Sequence, residues 1–208
     1  MKNQYIKKMI IRKLFKFEGA HVVRNCSSDR CKHSIHGHSY KVEVFLESQT
    51  LDKGQMVMDF GLLKGPVRDI IDAFDHAYAI WSKEPYEFKH FITENSARYV
   101  EMPVSPSAEM FSLMFYAIIK KILAKTEFNN GEKNIHLYSV RVHETETGYA
   151  ESSHDDYINL WVDGGYKIED IIFSQTIKDE WKDPEMWDKI LNYEFDVFIN
   201  PIIKPQIQ

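Results

Sequence analysis

The chain has 208 residues with Lys+Arg 26 against Asp+Glu 31, a net charge of -5, and it is 44% hydrophobic and 27% charged. That length and balance fit one domain, or one domain with an appendage, and exclude a disordered, collagenous or coiled-coil chain. The acidic balance argues against broad binding to nucleic acid or to an anionic membrane.

The basic N-terminus, MKNQYIKKMIIRKLFKF, has an apolar run of only Met9-Ile10-Ile11 before Arg12, too short for the core of a signal peptide. Residues Ile10 to Phe17 are rich in β-formers, with Phe15 and Phe17 at period two, and predict a strand. A polar loop follows, over residues 24 to 37, and holds both cysteines, Cys26 and Cys31. A bridge between them would close only a tiny ring, so reduced thiols in a cytoplasmic setting are expected. Tyr40, Val42, Val44 and Leu46 alternate with Lys41, Glu43 and Glu47 and predict a second strand, ended by Asp52-Lys53-Gly54.

Asp59 is placed to cap a helix carrying Leu62, Leu63, Val67, Ile70, Ile71 and Phe74. Ser105 or Ser107 opens a second helix, with Pro106 near its first turn and apolar residues from Met110 to Leu123. The longest apolar stretch, Met110 to Ile119, ends at Lys120-Lys121 and is too short to span a bilayer, which takes about 20 apolar residues. Ile135 to His143 predicts a third strand, with Leu137, Ser139, Arg141 and His143 on one face and Tyr138, Val140, Val142 and Glu144 on the other. Tyr157 to Val162 predicts a fourth. The order β-β-α-α-β-β argues for an α+β fold on an antiparallel sheet. Residues 1-163 read as the main domain. Residues 164-208 read as an appendage of unknown role, with Trp181, Trp187 and the apolar run Phe195 to Ile199, packed on the core or on a neighbouring subunit.

The histidines carry the first chemical signal. In an extended chain His36 and His38 point to one side, and Gly37 lets the backbone pass close to whatever they hold. His21 shares parity with Phe15 and Phe17, so a hairpin of the first two strands brings it beside them. Three imidazoles without a thiolate suit a catalytic Zn²⁺ with an open fourth position. The tripeptide alone is equally compatible with surface histidines. His33, His90, His136 and His154 show no such grouping. Cys31 reads either as a small half-buried residue or as an activated thiolate. Asp75-His76 reads as a helix-end pair or as an acid/base pair. Glu144, on an otherwise apolar face, requires a partner: a distant Lys or Arg, or the planar N–H edge of a ligand.

Taken in order, Phe17-Glu18-Gly19-Ala20-His21, Cys31, His36-Gly37-His38-Ser39-Tyr40, Gly54-Gln55-Met56-Val57-Met58-Asp59-Phe60, Asp75-His76, Pro106-Ser107-Ala108-Glu109 and Glu144-Thr145 resemble the 6-pyruvoyl-tetrahydropterin synthase family. The likeness is greatest to its bacterial branch, the 6-carboxy-5,6,7,8-tetrahydropterin synthases of queuosine biosynthesis, and covers residues 10 to 151. It implies a tunnelling fold, a four-stranded antiparallel sheet with two helices on one side. Subunits would join into a barrel, a homo-oligomer commonly built as a dimer of trimers, with active sites between subunits. It implies Zn²⁺ on His21, His36 and His38, Cys31 as general base, Asp75 and His76 as relay and proton donor, and Glu144, Thr145 and Ser107 as the pterin anchor. The implied substrate is 7,8-dihydroneopterin triphosphate. Its conversion would yield the 6-carboxy product with acetaldehyde, or stop at 6-pyruvoyl-tetrahydropterin.

The gap between Cys31 and His36, Lys32-His33-Ser34-Ile35, falls between the spacings of the two branches and leaves the choice open, with Cys26 a competitor for the base. Arg24, Arg30 and Lys32 lie on the loop where a triphosphate would be met. Two readings from other classes stand beside the lyase: a non-enzymatic, zinc-stabilised oligomer that binds a pterin or purine, and a zinc hydrolase indifferent to Cys31.

Overall fold

The computed structural model describes residues 8–192 and 197–201; the basic segment through Lys7 and the start of the apolar run 195–199 lie outside them. Two long strands, β1 (Met9–His21) and β2 (His36–Ser48), pair antiparallel along their whole length, with His21 directly opposite His36. Between them sits a short helix, α1 (Asp29–His33), which carries Cys31. The odd residues of β1 and the even residues of β2 face one layer, so Phe15, Phe17, Tyr40, Val42, Val44 and Leu46 are buried together. His21, His36 and His38 continue those same faces beyond the apolar rows.

The helix expected over Asp59 to Phe74 is two helices, α2 (Gly61–Lys64) and α3 (Pro66–Asp72). Pro66 has no N–H to continue α2, but its fixed φ suits the first position of α3. Asp59 still accepts from the Gly61 N–H at 2.6 Å, two residues before the helix begins and one before its cap position, Phe60. All six apolar positions expected on this face are buried. A turn at Asp75-His76 leads into β3 (Ala77–Trp81), followed by α4 (Tyr86–Asn95) and β4 (Tyr99–Met102). Helix α5 (Ala108–Ala124) opens at Ser107, whose hydroxyl accepts from the Met110 N–H at 3.4 Å; Pro106 therefore precedes the cap rather than lying in the first turn.

Two strands, β5 (Thr126–Phe128) and β6 (His136–His143), lead to β7 (Tyr149–Ser152), which is the fourth strand of the antiparallel half. Tyr157–Val162 is not a strand but a π-helical turn, following α6 (His154–Asp156), which Ser153 and Asp156 cap reciprocally. In β6 a register shift opposite Phe45 and Leu46 leaves Tyr138 without a partner. Leu137 therefore joins Val140 and Val142 in the core while Tyr138 is exposed, the reverse of simple alternation. Past Gly164 come β8 (Ile172–Phe173), α7 (Gln175–Glu180), α8 (Met186–Asn192) and β9 (Phe198–Asn200).

The main sheet runs β7-β6-β2-β1-β3-β4-β8. Its antiparallel half, β7-β6-β2-β1, is the four-stranded sheet expected. The other half makes the sheet mixed, because β3 lies parallel to β1 and to β4, with α4 as the crossover that a parallel pair needs. Helices α3 and α5 pack on its core face, where α5 alone buries Phe111, Leu113, Met114, Phe115, Ile118, Ile119 and Ile122. Each such side chain contributes roughly 1.5–3 kcal/mol on burial. Ile168, Phe173, Trp181, Trp187 and Ile190 of the C-terminal segment enter the same core, and β8 covers the edge of β4. No helix of the described residues is long and apolar enough to cross a membrane.

Candidate metal centre and cleft

The histidines meet where the core face of the β1–β2 hairpin runs out of apolar residues. One nitrogen from each of His21, His36 and His38 lies within 4.8 Å of the other two. His21 is 1% exposed, and its Nδ1 stands 2.6 Å from the Pro106 carbonyl oxygen, at the entrance to α5. A carbonyl only accepts, so the proton is on Nδ1 and Nε2 keeps its lone pair. The same logic applies at His36, whose Nδ1 donates to the Ser34 carbonyl at 3.0 Å. The two Nε2 atoms then face each other at 3.1 Å. Ligand nitrogens on a tetrahedral zinc, at about 2.0–2.1 Å from the ion, stand about 3.3–3.4 Å apart. The donor set therefore fits a three-histidine zinc site, with the tautomers of His21 and His36 fixed by backbone carbonyls.

Burial favours the neutral, ligating form of His21 and His38. Burial lowers His21 to about 4, with the neighbouring His36 and His38 adding to the effect against the Pro106 hydrogen bond. Burial also lowers His38, opposed by the charge of Glu144. The Tyr40 hydroxyl stands 3.2 Å from His21 Nδ1, and its ring stacks on Phe17 with centroids 4.7 Å apart, so the base of the site is rigid aromatic core. Burial pushes the Tyr40 phenol far above its ordinary range, Glu144 adding to it.

A cleft of about 380 Å³ opens beside His36 and is lined by Cys31, Ser107, Glu144 and Thr145, together with Cys26 and Glu109. Recesses of about 450 and 480 Å³ flank α5 elsewhere and hold none of these groups. Glu144 follows β6 directly, and its Oε1 lies 3.6 Å from His21 Nε2 and 3.9 Å from His38 Nε2. The His21 and His38 imidazoles are its ion-pair neighbours, and no Lys or Arg pairs with it among the described residues. Both cysteines are free thiols on this cleft, so the structure does not separate Cys31 from Cys26 by position.

His76 lies elsewhere. It lines a recess of about 480 Å³ that it shares with His38, Glu18 and Ser39. Its ring Nδ1 is 2.8 Å from Asp75 Oδ2, and Asp75 Oδ1 accepts from the Glu18 N–H at 2.7 Å. Burial alone would raise the Asp75 pKa, but the Glu18 N–H, the His76 ring and the Arg98 charge outweigh it and hold the carboxyl below its usual range. A single chain thus brings Cys31, Ser107, Glu144 and Thr145 to one side of the histidines and His76 to another.

Arg24 is not free to meet a phosphate. Its Nε donates to both oxygens of the buried Glu84 at 3.0 Å, and its Nη1 donates to the Lys32 carbonyl at 2.7 Å. Sequence reasoning gave no role to Glu109, Tyr40 or the Pro106 carbonyl. Glu109 stands in the Pro106-Ser107-Ala108-Glu109 stretch, and Tyr40 shares parity with His38, so both signals were present.

The sequence profile described as 6-pyruvoyl tetrahydropterin synthase matches residues 10–155. A 6-carboxy-5,6,7,8-tetrahydropterin synthase from Helicobacter pylori is 44% identical over 192 residues, covering 92% of this chain and 96% of that protein. Among solved structures, an uncharacterized protein from Wolinella succinogenes superposes with a TM-score of 0.57 at 22% identity, over 71% of this chain and 98% of that one. The 6-pyruvoyl tetrahydropterin synthase of Caenorhabditis elegans does so with a TM-score of 0.50 at 20% identity, over 72% and 97%.

Proposed function

The chain belongs to the 6-pyruvoyl tetrahydropterin synthase family, and from that premise we propose that it is a 6-carboxy-5,6,7,8-tetrahydropterin synthase. It would be a zinc-dependent lyase of queuosine (7-deazapurine) biosynthesis. It takes 7,8-dihydroneopterin triphosphate and one water to 6-carboxy-5,6,7,8-tetrahydropterin, acetaldehyde and triphosphate. The observation that carries this reading is the cleft where His36, one of three clustered histidines, meets Cys31, Ser107, Glu144 and Thr145.

His21, His36 and His38 would hold the zinc through ring nitrogens. When bound, it supplies Lewis acidity toward oxygens of the substrate side chain. Glu144 accepts the amino and ring N–H edge of the pterin, a planar pair of donors matched to a carboxylate. Thr145 and Ser107 add hydroxyls; the Ser107 oxygen accepts from the helix, which leaves its O–H to donate. Cys31, as thiolate, removes a proton from the side chain of the pterin. His76, with Nδ1 tied to Asp75, keeps Nε2 available to return one. Cys31 and His76 lie on different recesses of one chain. This suits a homo-oligomer, a dimer of trimers, in which a neighbouring subunit completes each active site. Free thiols suit a cytoplasmic setting.

The test is to incubate the zinc-loaded protein with 7,8-dihydroneopterin triphosphate and identify the products. Equal amounts of 6-carboxy-tetrahydropterin and acetaldehyde are expected. A 6-pyruvoyl product without acetaldehyde assigns the chain to the family's other activity. Tight pterin binding without release of triphosphate makes it a zinc-stabilised binding protein.

A further inference from the structure

The turn that carries Asp75 and His76 is held in an uncommon conformation. His76 has φ +53, in the left-handed region, which a residue with a Cβ adopts only when its surroundings fix it. One side of the turn is pinned to β1: the His76 N–H donates to the Glu18 carbonyl at 2.7 Å, and the Glu18 N–H donates to Asp75 Oδ1 at 2.7 Å. The other side is pinned by one side chain, Arg98, which directly precedes β4. Its Nε donates to the Asp75 carbonyl at 2.8 Å and its Nη2 to the Asp72 carbonyl at 3.0 Å, at the C-terminus of α3. Its own carbonyl accepts from the Tyr78 N–H at 3.0 Å, so Arg98 brackets the turn with backbone and side chain alike.

The remaining arm of the guanidinium, Nη1, donates to Glu180 at the end of α7. Glu180 lies beyond residues 10–155, the part matched by the family profile. A planar fork with all three nitrogens engaged is fixed in orientation as well as in charge. Glu180 is half exposed and Arg98 largely buried, so Glu180→Gln, which keeps a hydrogen-bond acceptor for Arg98, is a milder change than removing the arginine.

We propose that Arg98, oriented by Glu180 of the C-terminal segment, is a positioning residue that sets the Asp75–His76 pair for proton transfer. The inference rests on the reading of that pair as the proton relay. It gives the C-terminal segment a part in the reaction: the segment reaches the relay through one arginine.

The test measures kcat, KM, zinc content and melting temperature for Arg98→Met, Glu180→Gln and His76→Gln, and for Arg98→Met in the His76→Gln background. Arg98→Met is expected to lower kcat by about tenfold or more, the scale of misplacing a reacting group, with KM and zinc content unchanged. Glu180→Gln is expected to lower kcat by a smaller factor, about threefold, in the same way. In the His76→Gln background Arg98→Met is expected to cost nothing further, because its effect passes through His76. If Arg98→Met does not fold, Glu180→Gln decides. Parental kcat in the foldable variants, with His76→Gln inactive, overturns the positioning role and leaves the relay standing. An undiminished loss in the His76→Gln background makes Arg98 merely structural and also overturns it. Full activity of His76→Gln overturns the relay reading, and the positioning role with it.

Discussion

The Gly19 carbonyl oxygen occupies the space into which a side chain at Gly37 would project: a Cβ on Gly37 would lie 2.9 Å from it. Gly37 separates two of the three clustered histidines, and Gly19 is paired with His38. The sequence suggests that Gly37 lets the backbone approach an ion; the close approach is to the neighbouring strand instead.

Gly37→Ala is therefore expected to push β1 and β2 apart where His21, His36 and His38 converge. Overpacking of this kind costs about 1–3 kcal/mol. The melting temperature should fall, and bound zinc should fall with it. A variant with parental zinc content and parental melting temperature would show that the strands yield without disturbing the histidines.

The metal-free protein should lose stability as the pH falls from 6.5 toward about 4 because of His21. Its folded pKa lies below the unfolded value, so in this window the unfolded chain binds more protons. The stability is fully present above 6.5 and is lost as the pH falls through the folded value. The depression from 6.5 to about 4 corresponds to roughly 3 kcal/mol at most. Urea midpoints of chelator-treated protein across this range, compared with His21→Phe, check it; the variant should show a flatter pH dependence.

Arg24 and Glu84 form a pair whose carboxylate side chain is 2% exposed, so removing the arginine alone strands a buried charge. Arg24→Met should cost about 3–5 kcal/mol of stability, with part recovered by adding Glu84→Gln. The same arginine holds the Lys32 carbonyl next to Cys31. Alkylation of Cys31 should accordingly change rate in Arg24→Met, while the double variant restores stability without restoring that rate.

Strand alternation made β1, β2 and β6 readable, and with them the convergence of His21 on His36 and His38. Where that signal was absent or imitated, the sequence was opaque. Ala77-Tyr78-Ala79-Ile80 is buried on both faces and shows no period, so β3 was not visible. Ile158, Leu160 and Val162 alternate like a strand, yet all three are exposed and only Trp161 of that turn is buried. The better signal was the cap formed by Ser153 and Asp156 just before it. The bulge at Tyr138 depends on the partner strand and has no mark of its own in β6.

Glu144 gives the most direct test of ligand recognition. Its carboxylate is about one-third exposed, lies 3.6 Å from His21 and 3.9 Å from His38, and pairs with no Lys or Arg among the described residues. A structural ion pair would make Glu144→Gln costly in stability, but no Lys or Arg depends on its charge among the described residues. If the carboxylate instead receives the N–H edge of a pterin, the amide replaces one acceptor oxygen with a donor and turns an attraction into a clash of hydrogens. Pterin affinity should then fall by roughly 2–4 kcal/mol, the scale for breaking a charge-assisted pair. Zinc content should stay at the parental value, because the three clustered histidines are untouched. The melting temperature should move little. Calorimetric titration with a pterin and a thermal melt on this one variant separate the alternatives. Unchanged affinity with a lowered melting temperature would mean that the carboxylate serves the fold and that the pterin is anchored elsewhere.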